Sequence, residues 1–294
     1  MADFLNFFLV PALTYSCLYG LVATGLNVYT RSTHVWDLSY PQIMMWAPMA
    51  ALTAYKLWGF GAAFSLAFGF LAAMAFAFLS EWIAIRPFIG KTSSALPWIL
   101  STLGMATVLG QLGSIPFGGA PEAFPLSFSS TRLTFGLLRV SPQQLLLFGL
   151  TIVVVASVVI LYRWTRIGRM LSAVSEDFDG ARALGISPTN MSQIAMAASA
   201  VIASLTGFVV APILLVTPQL GFDLLFVGFV AAAVGGLGTL WGGILGGIFV
   251  GVVLQLTQIY VGGLWSNAFL FGALLVLYLV RPWGILGRRP QRAV

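Results

Sequence analysis

The chain has 294 residues, of which 59% are hydrophobic and only 7% charged, with a net charge of +6 and a mean hydropathy of +0.97. A soluble domain carries about a quarter of its residues charged, so this composition excludes a soluble fold and indicates an integral membrane protein. The positive balance is no argument for nucleic acid, because the basic residues sit in short stretches between apolar runs.

A helix that crosses about 30 Å of hydrocarbon needs about 20 apolar residues. Candidate spans, in chain order, are 8–29, 42–58, 61–84, 95–116, 142–162, 190–215, 224–240, 242–262 and 266–280. Gly- and Pro-broken segments can be split or re-entrant, which leaves about 8–10 spans. The expected fold is all-α, a polytopic transmembrane helical bundle forming a single domain over residues 1–294. The opening MADFLNFF has neither a basic leader nor a small-residue cleavage site, so it reads as mature sequence. Short cytoplasmic loops collect Lys and Arg. Nine spans with a cytoplasmic C-terminus put eleven basic residues inside the cell, from Arg31 to Arg292, and only Lys56, Arg132 and Arg139 outside.

Along the chain, Cys17 lies in an apolar run and reads as a buried structural thiol. His34 and Asp37 occupy the first loop and read as capping or hydrogen-bonding groups at a helix end. Glu81 precedes Arg86 by five residues, which predicts pairing or snorkelling. Residues 119–141 are external in this topology, and the alternation of Leu133, Phe135 and Leu137 predicts a short hairpin. Polar or sulfur-bearing residues at or near the spans are candidates for a solute pathway: Asn27, Gln42, Met44, Met45, Thr102, Gln219 and Asp223.

The densest polar stretch follows the fifth candidate span. Seven of the 22 charged residues lie between Arg163 and Arg182. Leu171, Val174, Phe178, Ala181 and Leu184 recur at three- and four-residue spacing, the pattern of one apolar helix face. Gly185 is placed to cap that helix, and Pro188 follows. The narrow stripe, bordered by Glu176, Asp177 and Asp179, suits a protein groove better than an anionic lipid surface. Further on, Gly238, Gly242 and Gly246 are spaced by four, as are Gly243, Gly247 and Gly251. Such stripes let helices approach closely in lipid, within the subunit or at a dimer interface.

Apparent enzyme motifs fail on spacing. Gly90-Lys91-Thr92 ends like a P-loop, but the required upstream glycine falls at Ile85. The 236–241 stretch lacks the third glycine of a dinucleotide fingerprint. One His and one Cys cannot make a metal cluster of that kind. No cofactor is expected on this chain, and no enzyme activity.

Four stretches in order resemble blocks of the inner-membrane permease subunits of branched-chain amino-acid ABC importers. SEWIAIRPFIGK at 80–91 resembles that family's E-x-x-x-x-R-P-L, followed by STLG at 101–104. TRIGRMLSAVSEDFDGARALGI at 165–186 resembles its cytoplasmic segment, 221–247 its glycine-rich block, and RPWGILG at 281–287 its C-terminal R-P-x-G-L-x-G. One departure is DLSYP at 37–41, where the family commonly has N-F-A-H-G. The resemblance implies a multi-pass protein of the bacterial inner membrane that forms the pathway for a small amphipathic solute such as a branched-chain amino acid. Relatives move urea, short amides or carboxylic acids. It implies a homologous or identical second permease subunit, two ATPase subunits that bind the ATP, and a periplasmic solute-binding protein. It also makes residues 164–188 a coupling segment, with Val174, Glu176, Asp177, Phe178, Ala181, Arg182, Leu184 and Gly185 toward the ATPase. The alternative is a stand-alone channel or secondary transporter for a small polar solute, which predicts no ATPase partner. Sparse carboxylates at membrane depth weaken an ion-driven mechanism.

Overall fold

The computed structural model describes residues 5–88, 96–117, 120–125, 133–135 and 138–287. Its helices are α1 (Val10–Thr33), α2 (Tyr40–Lys56), α3 (Ala62–Ser80), α4 (Leu96–Phe117), α5 (Pro142–Trp164), α6 (Arg166–Glu176), α7 (Phe178–Ala183), α8 (Pro188–Leu214), α9 (Leu220–Gly235), α10 (Gly242–Tyr260) and α11 (Ser266–Val280). Each of the nine apolar runs contains a helix, although the run at 224–240 leaves its helix after Gly235. A short antiparallel hairpin, β1 (Leu133–Phe135) and β2 (Leu138–Val140), pairs Leu133 with Val140, as the alternation predicts. Leu137 lies outside the described residues.

Seven of the described helical segments are long and apolar enough to cross a membrane. The expectation of about 8–10 spans is met only if α2 and α9 are counted. These have 17 and 16 residues, about 26 and 24 Å at 1.5 Å per residue. Both are largely buried among the longer helices, so their backbone need not meet lipid.

Helix α1 is the axis of the bundle, buried at every position from Gly20 to Thr30. It packs most extensively against α10, then α8 and α9. The two glycine stripes of α10 face different neighbours. A Cβ at Gly243, Gly247 or Gly251 would overlap Thr24, Gly20 or Ser16 of α1, and one at Gly246 would overlap the Ala231 carbonyl of α9. Gly242 lies against Gly235 and Gly236, and Gly238, outside the helix, adopts φ +73° beside Arg31. The stripes therefore put backbone against backbone where dispersion is the main attraction available in lipid.

The loops gather at two ends. At one, Lys56 pairs with Glu122 at 2.8 Å, and Glu122 exchanges backbone hydrogen bonds with Val216. At the other, the ends of α1, α3, α5 and α9 meet the start of α8 and the α6–α7 segment.

Candidate functional site

The polar stretch after α5 is two helices rather than one. Thr165 is extended (φ −96°, ψ 156°); its hydroxyl donates to the Leu161 carbonyl at 2.6 Å and accepts from the Gly168 amide at 3.0 Å. The chain thereby turns sharply, and α6 folds back so closely that a Cβ at Gly168 would overlap the Leu161 carbonyl. At Asp177 the helix breaks. Its backbone is extended, and its carboxylate accepts from the amides of Asp179 (3.1 Å) and Gly180 (3.0 Å), capping α7. Two amides that begin α7 are satisfied in this way.

The far end of α7 closes with the Gly185 amide bonded to the Arg182 carbonyl and the Ile186 amide to that of Ala181, both at 3.0 Å. This is a Schellman cap, and Gly185 takes the left-handed conformation it requires (φ +79°). Ser187 then caps α8 by accepting from Asn190.

The apolar stripe does not lie on one continuous face, and most of it points inward. Leu171, Val174 and Ala181 are buried against the protein itself, and Phe178 is half-buried. Leu184 does the opposite and is 81% exposed. Around it, Glu176, Asp177, Asp179, Arg182 and Gly185 are exposed. Val174 and Ala181 thus fasten the segment to the bundle, while Leu184 and the charges form its outer surface.

The fastening continues through polar contacts. His34, in the left-handed conformation that ends α1, places Nε2 2.7 Å from the Ser175 carbonyl, so Nε2 carries the proton. Between α6 and the α9–α10 loop lies a cavity of about 780 Å³, lined by Arg31, His34, Tyr162, Arg163, Glu176 and Trp241 among others. Deeper in, Ser192 donates to Glu81 at 3.1 Å and lies 3.2 Å from the Tyr29 hydroxyl. Glu81 therefore finds its hydrogen-bond partner on α8, while Arg86 is exposed. Ser39 donates to Asp37 through both its amide (2.9 Å) and its hydroxyl (2.6 Å), and that hydroxyl also meets Ser80. Burial pushes the Asp37 carboxyl up to about 6, against the opposing bonds from Ser39. The Tyr29, Ser192 and Ser175 contacts were not legible beforehand, since lone Ser and Tyr residues carry no spacing signal.

The pathway candidates separate into two groups. Asn27 clamps the α9–α10 loop, donating to the Thr239 carbonyl at 3.2 Å and accepting from the Gly238 amide at 3.0 Å. Met44 and Met45 are in the core, and Thr102 is buried with its hydroxyl on the Trp98 carbonyl. Gln42 is buried against Gly221 and Gly110, with its Nε2 lacking a partner. Only Gln219 and Asp223, both on α9 or at its start, are exposed. Cys17 is half-buried rather than enclosed.

This arrangement is that of a multi-span membrane protein holding a polar helix pair rigidly at one end of its bundle. A sequence model of the family described as "Branched-chain amino acid transport system / permease component" matches residues 8–279, and the chain belongs to that family. It is 26% identical over 286 residues to the high-affinity branched-chain amino acid transport system permease protein LivH of Salmonella typhimurium, covering 94% of this chain and 90% of that one. It is 27% identical over 298 residues to the corresponding permease protein BraD of Pseudomonas aeruginosa, with 95% of each covered. A metal-chelate type ABC transporter solved in an inward-facing conformation shares the fold, with a TM-score of 0.51 at 17% identity over 91% of this chain and 85% of that one. The chain is a permease subunit of an ABC importer and a multi-pass protein of the bacterial inner membrane.

Proposed function

We propose that the permease forms one domain over residues 1–294, carries a branched-chain amino acid or similar small amphipathic solute, and takes its driving force through residues 164–188. The observation that carries this is the outer surface of the α6–α7 pair. It offers one exposed leucine ringed by Glu176, Asp177, Asp179 and Arg182 on a backbone locked to the bundle. An apolar knob supplies burial in a partner's groove and the charged rim sets its orientation. Force applied there reaches the ends of α1, α5 and α8 through Ser175, Leu171, Val174 and Ala181. Two ATPase subunits, a second permease subunit and a periplasmic solute-binding protein complete the machine, with ATP bound by the ATPases. The names LivH and BraD, each a branched-chain amino acid permease over nearly the whole chain, support the solute class.

The test uses the assembled importer. Leu184→Glu and Arg182→Asp are expected to reduce uptake at least tenfold and to weaken ATPase retention in a mild-detergent pull-down, while expression and thermal stability stay near wild type. Normal uptake in both variants would remove the coupling role. A chain recovered alone with uptake intact would favour a stand-alone carrier.

A further inference from the structure

The outer surface of the bundle is not uniform. The large exposed side chains of α3, α5 and α11, such as Leu71, Ile152 and Leu279, are hydrocarbon and suit lipid. One side differs. Helix α9 exposes Asp223 and, one turn on, Phe226 at 56%. Next to it, α4 packs its Gly110 against Phe222 and, on the face away from its buried Thr102, Ala106 and Leu109, exposes Thr107 and Gln111 among Leu103, Val108 and Leu112. On the other flank, Asp223 lies within electrostatic reach of Tyr19 of α1, whose ring stacks on Tyr15 at 6.3 Å. The Tyr15 hydroxyl in turn accepts from Gln258 of α10.

Depth makes this face informative. Tyr19 is nine residues from the start of α1 at Val10, about 14 Å along the axis. Phe222, one residue before Asp223, packs on Gly110, seven residues or about 10 Å from the nearer end of α4 at Phe117, so the start of α9 lies inside the helical bundle rather than at its rim. The one ion pair among the described residues is Lys56–Glu122, so the described residues hold no salt-bridge partner for Asp223. An exposed, unpaired carboxylate at that depth is strongly disfavoured against lipid, and such groups mark solute or ion paths.

We propose that the α4–α9 face turns toward the second permease subunit and lines the aqueous path between the two, and that Asp223 receives the ammonium group of the solute. Asp223 lies in the first turn of α9, where the helix dipole favours a carboxylate. Phe226 offers the adjoining apolar contact, which matches a solute carrying an amine and a hydrocarbon side chain. This rests on the importer reading above, and the path is incomplete without the second subunit.

Two measurements test it in the assembled importer. In a Cys17→Ser background, Thr107→Cys is expected to react with a water-soluble thiol reagent, and the lipid-facing control Ile152→Cys to stay silent. In proteoliposomes, Asp223→Asn is expected to lower L-leucine import at least tenfold while ATP hydrolysis stimulated by the loaded binding protein is retained, and Asp223→Glu to recover most of the import. Equal silence of Thr107→Cys and Ile152→Cys overturns the face. Equal import by wild type and Asp223→Asn overturns the ammonium role alone. A wild type that imports no L-leucine, with Thr107→Cys labelled, overturns the amino-acid solute and the ammonium role together while upholding the face.

Discussion

Asp37 shows how much one side chain can set. It is fully enclosed, with one oxygen bonded to Ser39 and the other, Oδ2, buried without a partner. Its carboxyl titrates near 6 in the folded protein against an ordinary 3.8, so the folded state holds the proton more tightly. The stabilisation is complete below pH 3.8 and is lost as pH rises through about 6. Across the whole titration it is on the order of 3 kcal/mol. Asp37→Asn keeps an oxygen for both Ser39 bonds and removes the proton. Thermal unfolding in detergent should show the wild type losing several degrees between pH 5 and pH 7.5, and Asp37→Asn losing much less. Parallel pH curves for the two proteins would contradict the assignment. At the same scale, Leu184 was legible as part of an apolar repeat. Its direction was not, because periodicity reports that a face is apolar and cannot say whether the same chain or a partner covers it. Val174 and Ala181 went to the chain's own core and Leu184 did not.

Among the elements, α10 makes the sharpest demand on its neighbours. Its glycines meet α1 backbone to backbone, so any larger side chain must separate the two helices that form the centre of the bundle. Gly247→Leu places a side chain on Gly20 of α1 and is expected to cost at least about 1–3 kcal/mol, the range for overpacking. A thermal shift on size-exclusion chromatography reads this; an unchanged midpoint would mean that α1 and α10 have room to part. Among the described residues, each of the nine apolar runs contains a helix of the bundle, because a long apolar segment has few alternatives to helix in lipid. The break between α6 and α7 escaped. Asp177 looks like a polar residue on a helix surface, and only its extended backbone reveals that its carboxylate caps a new helix. The short lengths of α2 and α9 were already legible as runs of 17 residues, 42–58 and 224–240, and the helices begin two and four residues earlier; that their backbone is shielded from lipid shows only once burial is known.

For the whole molecule, the loops divide between two ends, and the bias of Lys and Arg toward cytoplasmic loops predicts which end meets the cytoplasm. Arg31, Arg163, Arg166, Arg169 and Arg182 share the end with the α6–α7 pair, whereas Lys56, Glu122 and Arg139 share the other with the hairpin. In a Cys17→Ser background, Ala183→Cys is expected to react only from the cytoplasmic side and Ala120→Cys only from outside; the reverse pattern would invert the topology. A different consequence lies in the segment after α11. The Ile285 amide donates to the Val234 carbonyl at 2.8 Å, and the Leu286 amide to that of Gly235 at 3.1 Å. Carbonyls at a helix end have no partner of their own in the helix, so those two wait for a part of the chain made only after α10 and α11. During synthesis the bundle is therefore left unlatched until the ribosome has passed residue 286, and a nascent chain stopped at Trp283 would present an open seam to the cell's membrane proteases.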